Sequence, residues 1–160
     1  MGTGRRRVTL AFLVLCLGAV DAAAARDADA ERAKIEKAVR TSIEWALTKD
    51  RQALFDGLVQ DSTLFIFHPD SKSTITGFAA FRRLADDVFM DPRFTATDAR
   101  IRDLRITRSE PGNTAWFSCR LDDHGTWDGR PTGWDDARWT GVLEKRQGRW
   151  RIAQMHFSLA

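Results

Sequence analysis

Apolar side chains recur every three or four residues between residues 28 and 47, and charged side chains fill most of the positions between them. This spacing is typical of one buried face of an α-helix, and it predicts a first helix over residues 28–47. Asp50 can cap a second helix over residues 51–59, because its carboxylate accepts hydrogen bonds from the free N–H groups of a first turn. A third helix is predicted over residues 78–89, and the Asp91-Pro92 pair ends it.

Beyond Phe94 the pattern changes to a period of two, which is the alternation of strands with one buried face. Four such strands are predicted over residues 99–106, 114–122, 137–145 and 150–158. A phase slip at Arg102-Asp103 predicts a β-bulge in the first of them. The polar, glycine-rich residues 123–135 are predicted to connect the second of these strands to the third.

Helices first and an antiparallel run of strands second predict the α+β class, with N-terminal helices packed across one face of a curved sheet. A sheet that curves in this way leaves a cavity between itself and the helices, where small ligands commonly bind. Alternation gives the strand over residues 114–122 two different faces. One face carries Ala115, Phe117, Cys119 and Leu121, and the other carries Trp116, Ser118, Arg120 and Asp122.

The N-terminal residues follow the three-part pattern of a secretory signal peptide. Three arginines at positions 5–7 precede an apolar run over residues 8–20, and the small residues of positions 22–25 come next. The apolar run is shorter than the roughly 20 residues that a helix needs to cross a bilayer. We therefore expect a Sec-type signal peptide over residues 1–25, with cleavage near Ala25, and one domain over residues 26–160. The expected location is the periplasm or the outside of the cell, with no membrane attachment after cleavage.

Removal of the signal peptide changes the charge and the cysteine count. The chain has 25 basic and 22 acidic residues, and residues 1–25 contain three Arg and one Asp, which leaves 22 basic and 21 acidic residues. With a net charge of only +1, we do not expect the mature chain to bind nucleic acid. Cys16 leaves with the signal peptide, so Cys119 has no partner for an intrachain disulfide, and its place inside a strand predicts a buried, inert thiol. The three histidines lie far apart in the sequence, so no metal site is expected. No other cofactor is expected either.

Three features of the chain are shared with one family. Trp45-Ala46 is followed by Lys49-Asp50 and Leu54, Gly77 precedes the third helix, and residues 140–158 form the closing hairpin. On these features residues 31–158 resemble the SnoaL-like branch of the nuclear transport factor 2-like (NTF2-like) superfamily. The hairpin is also similar to the end of the association domain of calmodulin-dependent kinases. The resemblance implies a cone of helices on a curved, mixed or antiparallel sheet, and usually a homodimer formed through that sheet. It implies no single activity, because the members include isomerases, dehydratases, polyketide cyclases, hydrolases and binding domains.

His68 and Asp70 are the candidate catalytic residues, and they follow a short buried strand predicted over residues 63–67. Enzymes on this scaffold commonly place an Asp or a His in the cone to move a proton, and a His–Asp pair can act as an oriented general base. The alternative is a plain turn in which Asp70 bonds its own backbone. The enzyme hypothesis requires both side chains to point into a closed cavity within hydrogen-bond reach of each other.

The candidate ligand-pocket residues are Trp45, Phe67, Phe117, Leu121, Trp127, Trp134, Trp139, Met155 and Phe157. In the last strand, alternation predicts that Ala153, Met155 and Phe157 face the cavity and that His156 shares the outer face with Trp150, Ile152, Gln154 and Ser158. The candidate interface residues are Trp116, Arg120 and His156. Residues 123–135 are either a lid whose aromatic side chains stack on a ligand or a hairpin end packed by its own tryptophans.

Differences between this chain and its relatives limit the reactions and ligands that we expect. The chain contains no tyrosine, which ketosteroid isomerases use in the oxyanion hole. Kinase association domains line their pocket with arginines, and the corresponding residues here are expected to be Leu121, Gly141 and Phe157. We therefore predict an exported homodimer that binds a small, largely apolar molecule in its cavity.

Two other hypotheses remain open at this point. The first is a cofactor-free enzyme, such as an isomerase, dehydratase or hydrolase, in which His68 and Asp70 act as general acid and base. The second is a domain used only for assembly through its sheet, which requires a cavity filled by Phe65, Phe67, Phe81 and Phe117.

Overall fold

Residues 8–70, 73–110 and 112–159 are described by a computed structural model of the protein, with side chains from residue 24 onward. The chain divides into two units, residues 1–33 and residues 34–160. The described part of the first unit is helical throughout. The predicted signal peptide falls mostly outside the described side chains and stays a prediction. Among the described residues, no helix combines the length and the hydropathy that crossing a membrane requires.

The first and third predicted helices are both present, over the residues whose apolar side chains recur every three or four positions. Helix α1 spans Val8–Thr48, so it begins well before the predicted residue 28, and in the second unit it buries Val39 and Trp45. Helix α3 spans Phe78–Leu84 and continues as a π-helical segment, Ala85–Phe89. Together these two segments cover the predicted third helix.

Helix α2 spans Arg51–Asp56 and confirms the predicted cap. The Asp50 carboxylate accepts a hydrogen bond of 2.9 Å from the backbone N–H of Ala53. The helix ends before the predicted residue 59, because the chain beyond it pairs with the sheet. Leu58 forms an isolated parallel bridge with Ile152 and is fully buried.

The described strands form one mixed sheet, which positions the cavity. They are β1 (Phe65–Phe67), β2 (Ile75–Thr76), β3 (Phe94–Arg108), β4 (Thr114–Trp127), β5 (Arg130–Arg146) and β6 (Arg149–Ser158). Their order in the sheet is β2-β1-β6-β5-β4-β3. Strands β3 to β6 form the predicted antiparallel run, and β1 joins it by pairing in parallel with β6. Strand β2 was not predicted, because two residues are too few to show a period.

Breaks in the strand register set which residues face inward. The register of β3 shifts between Arg102 and Arg105, and Asp103 has a φ of +53°, which confirms the bulge predicted there. A second bulge lies in β5, which has one residue more than β4 between the pairs Leu121–Ala137 and Asp123–Trp134. This extra residue reverses the phase of β5 and turns Trp134 to the inner face.

A bulge in β6 corrects part of the predicted alternation. Leu143 pairs with Ile152 and Val142 pairs with Gln154, so Ala153 is the extra residue. Trp150 and Ile152, predicted to share the outer face with His156, are instead 6% and 0% exposed. The prediction was wrong for these two because strict alternation holds only where no residue is inserted.

The predicted connection over residues 123–135 is also wrong, because most of it is strand. Strand β4 continues to Trp127, and β5 begins at Arg130 after a two-residue turn. Asp128 and Gly129 in that turn have φ values of +51° and +75°, as the tightest hairpin turns require. Polar side chains and glycines concealed these strand ends, because they interrupt the alternation of apolar and polar residues.

The core lies between the sheet and the helices of the second unit. Trp139 is fully buried at its centre, stacked on Phe157 with ring centroids 5.5 Å apart and edge-on to Phe117 at 4.8 Å. Cys119 is buried beside them, and burial raises the pKa of its thiol to about 12. The thiol is therefore protonated and unreactive at neutral pH, as its position in the strand predicts.

Candidate functional site

A cavity of about 380 Å³ lies in the second unit between the inner face of the sheet and the helices. Aromatic rings dominate its lining, and they come from every layer of the unit: Trp45, Phe81, Phe89, Phe94, Trp127, Trp134 and Phe157. Aliphatic side chains and Met155 fill much of the rest. The polar side chains are Ser42, His68, Asp123, His124 and Thr132.

Two glycines allow three strands to meet closely at the rim of this cavity. A Cβ atom on Gly133, whose φ is +135°, would lie 2.1 Å from the backbone oxygen of Asp123. A Cβ atom on Gly125 would lie 2.7 Å from the backbone oxygen of Thr95. Only glycine fits at such distances, so the two residues bring β3, β4 and β5 together where Asp123 enters the cavity.

Asp123 is the carboxylic acid that the sequence analysis missed. The inner face of β4 carries Phe117 and then Leu121, and the next inward position is Asp123. Burial raises the pKa of its carboxyl group, and the neighbouring His124 lowers it to a smaller extent. The alternation would have predicted this position had the strand not been ended at Asp122.

His68 also lines the cavity, just after the end of β1. Its ring is half-buried and contacts Trp134 and Phe157 edge-on, with centroids 5.9 Å and 5.5 Å apart. Burial lowers the pKa of the imidazole, and the charge of Asp70 opposes that change. His68 is therefore neutral at neutral pH, when one of its ring nitrogens can accept a proton.

Asp70 does not line the cavity with His68. Its side chain is exposed, and its carboxylate accepts a 2.6 Å hydrogen bond from the Ser73 hydroxyl. The backbone N–H of Ser73 donates a 3.3 Å hydrogen bond to the carbonyl of Asp70, whereas the turn considered as the alternative had the Asp70 carboxylate bonding its own backbone. The chain bends at Pro69 and Asp70, and both residues are exposed. The structure thus does not bring the predicted catalytic pair together in the cavity.

The predicted pocket residues separate into three groups. Trp45, Trp127, Trp134, Met155 and Phe157 line the cavity. Phe117, Leu121 and Trp139 are buried in the core and do not reach it. Phe67 lies on the opposite face, 45% exposed, because alternation in β1 turns Ile66 inward instead. The assembly-only hypothesis required a cavity filled by four phenylalanines. The cavity is open instead, and of the four only Phe81 lines it.

Comparison with known protein families shows which family this chain belongs to. The sequence profile of the SnoaL-like domain matches residues 35–160, a range that contains every residue lining the cavity. The chain belongs to the SnoaL-like domain family. No protein of curated function matches it significantly in sequence.

Solved structures share the fold of this SnoaL-like chain at low identity. An NTF2-like protein with a cystatin-like fold from Novosphingobium aromaticivorans is 18% identical over 88% of each chain, with a TM-score of 0.66. An NTF2-like protein from Cytophaga hutchinsonii is 16% identical over 81% of this chain and 98% of its own, with a TM-score of 0.64. The association domain of CaMKII from C. elegans is 17% identical over 82% of this chain and 97% of its own, with a TM-score of 0.61. These likenesses confirm the predicted α+β fold of the NTF2-like superfamily.

The outer face of the SnoaL-like sheet carries the three predicted interface residues. Trp116 is 48% exposed on β4, and His156 of β6 contacts the exposed Phe67 with ring centroids 5.7 Å apart. Arg120 donates a 3.1 Å hydrogen bond to the Asp136 carboxylate. The face therefore combines exposed aromatic surface with arginines that already hold carboxylate partners.

Metal-ligating side chains are not clustered in the described part of the SnoaL-like chain. Within it, no three His, Cys, Asp or Glu side chains are arranged to hold a metal ion. His124, which borders the cavity, instead shares a 2.9 Å hydrogen bond between its Nε2 and the Asp135 carboxylate.

Proposed function

We propose that this SnoaL-like protein binds a small, largely apolar molecule in its cavity. The observation that carries the proposal is an open space of about 380 Å³ lined mainly by aromatic and aliphatic side chains. Ligand sites commonly enclose about 300–1,000 Å³ and have this kind of lining. Burying apolar ligand surface there is favourable by roughly 25 cal/mol per Å² removed from water.

A pair of tryptophan substitutions on α1 tests the proposal. Ile43 lines the cavity, and Leu47, one turn later on the same helix, is 45% exposed and does not line it. We expect 2-naphthylmethanol, a neutral apolar probe, to bind the wild-type protein in isothermal titration calorimetry. Ile43→Trp should fill the space and lower the affinity by about tenfold or more, while Leu47→Trp leaves it unchanged. Equal effects of the two substitutions would show that the probe binds elsewhere.

We also infer that the protein is exported and that residues 26–160 form its mature part. The support is the charged, apolar and small-residue pattern of residues 1–25. N-terminal sequencing of protein from the periplasm and the medium tests this. A mature chain that begins near Arg26 is expected, and uncleaved protein retained in the cytoplasm would overturn the inference.

A second candidate function is a cofactor-free enzyme that moves a proton, since His68 and Asp123 line the same cavity. This replaces the predicted His68–Asp70 pair with His68 and Asp123 as the acid and base. The exchange of α-protons of 2-tetralone in D₂O, followed by NMR, measures such an activity. His68→Gln and Asp123→Asn should each slow the exchange by about 10²-fold. Wild-type protein that exchanges these protons no faster than buffer would exclude this activity.

A further inference from the structure

The described side chains that line the cavity include a carboxyl group but neither an ammonium nor a guanidinium group. Among the described residues that line it there is neither lysine nor arginine, and the ionisable side chains are His68, His124 and Asp123. His68 is neutral at neutral pH because burial lowers its pKa. His124 is engaged with Asp135 through Nε2. Among the described residues that line the cavity, Asp123 therefore carries the one carboxyl group that can bind a cationic ligand.

The surroundings of Asp123 leave space beside its carboxyl group. Its inward neighbours along β4 are Leu121 and Gly125, and a glycine contributes no side chain to the cavity. Its cross-strand partner is Trp134, which also lines the cavity. Side chains in such a pair have Cβ atoms about 5 Å apart, so the indole ring stands next to the carboxyl group.

Cations near the cavity are already held by other groups. The guanidinium of Arg93 stacks on Trp127 at 4.7 Å and forms a 2.7 Å ion pair with Asp91. The ammonium of Lys49 donates a 2.7 Å hydrogen bond to the backbone oxygen of Asp91. Among the described residues, none forms an ion pair with Asp123. A carboxylate in an apolar site without a partner is unfavourable, and a cationic ligand supplies that partner.

We propose that the cavity selects small hydrophobic amines, with the ligand ammonium bound by Asp123 beside the ring of its cross-strand partner Trp134. This rests on the proposed function, because it names the chemical class of the apolar molecule bound there. The carboxylate provides a charge-assisted hydrogen bond, and the indole face of Trp134 attracts a cation. The apolar body of the amine fills the aromatic remainder of the cavity. The competing arrangement is a protonated Asp123 that donates a hydrogen bond to a neutral oxygen of the ligand.

Three probes of one shape distinguish these arrangements. Isothermal titration calorimetry at neutral pH compares 2-naphthylmethylamine, 2-naphthylmethanol and 2-naphthoate on the purified protein. We expect the amine to bind about tenfold tighter than the alcohol and the carboxylate to bind weakest. Asp123→Asn should remove the preference for the amine and leave the affinity for the alcohol within about threefold. Asp87→Asn removes the same charge at an exposed site outside the lining and should leave the order unchanged.

The outcomes separate this proposal from the one it rests on. Equal binding of amine and alcohol, with a normal response to Ile43→Trp, would overturn the amine preference and leave the apolar site in place. An amine preference that survives in Asp123→Asn would also overturn it, since the carboxylate would then not be the partner. If none of the three probes binds, both the amine preference and the proposed function fail.

Discussion

At the scale of single residues, Asp123 determines the electrostatics of the cavity. Burial raises the pKa of its carboxyl group, so the folded protein holds the proton more tightly than the unfolded chain does. The stability that follows is present below the ordinary pKa of 3.8 and is lost as the pH rises through the higher pKa of the folded state. At neutral pH and without a ligand, the folded protein is therefore less stable than it would be with a neutral side chain at position 123.

Asp123→Asn should therefore raise the free energy of unfolding at neutral pH, because the amide removes a charge that burial disfavours. The gain should disappear below pH 3.8, where the carboxyl group of the wild-type protein is protonated in both states. Urea unfolding over a pH series measures both variants, with Asp87→Asn as the control. A variant that is less stable than wild type at neutral pH would show that Asp123 has a stabilising partner.

At the scale of elements, alternation predicted the strands well and failed where a residue is inserted. The bulge at Asp103 could be predicted, because apolar residues on both sides of it are out of phase. The bulge at Ala153 could not, since the apolar run from Ile152 to Ala153 fits either phase. The inward position of Asp123 was missed for a related reason, because a polar side chain on the inner face looks like the end of a strand.

The close approach of β4 and β5 gives a prediction at this scale. Gly133→Ala should destabilise the protein by about 3 kcal/mol or more, because a positive φ is combined with a backbone clash. Gly129→Ala is the matched control, since its φ is +75° but nothing lies within 4 Å of a new Cβ atom. That change should reduce stability by about 1 kcal/mol. Thermal and urea unfolding compare the two, and equal losses would contradict the close approach.

At the scale of the whole molecule, the order of the elements predicted an α+β sheet with a cavity, and the structure of the second unit has both. The charge of that cavity could not be predicted, because it depends on where β4 ends and on the bulge in β5. The outer face was predicted from parity, and Trp116 and His156 lie there. We predict that this face is the dimer surface.

Trp116→Lys should dissociate the homodimer predicted from the family resemblance, because it places a charge in the exposed aromatic part of the outer face. Leu47→Lys is the control, since Leu47 is a similarly exposed apolar residue on a helix, 45% against 48%. Light scattering at micromolar concentration measures the mass of each variant. A wild-type protein that is monomeric under these conditions would exclude the dimer.

The central claim is that the cavity binds a small apolar molecule. The NMR signal of the methionine methyl group in the cavity lining tests this claim most directly. Met155 lines the cavity, and Met90, which packs against the core, does not line it. In protein labelled with ¹³C at the methionine methyl groups, titration with 2-naphthylmethanol should shift the Met155 signal along a saturating curve and leave the Met90 signal in place. An unchanged Met155 signal at saturating probe, or equal shifts of both signals, would contradict the account.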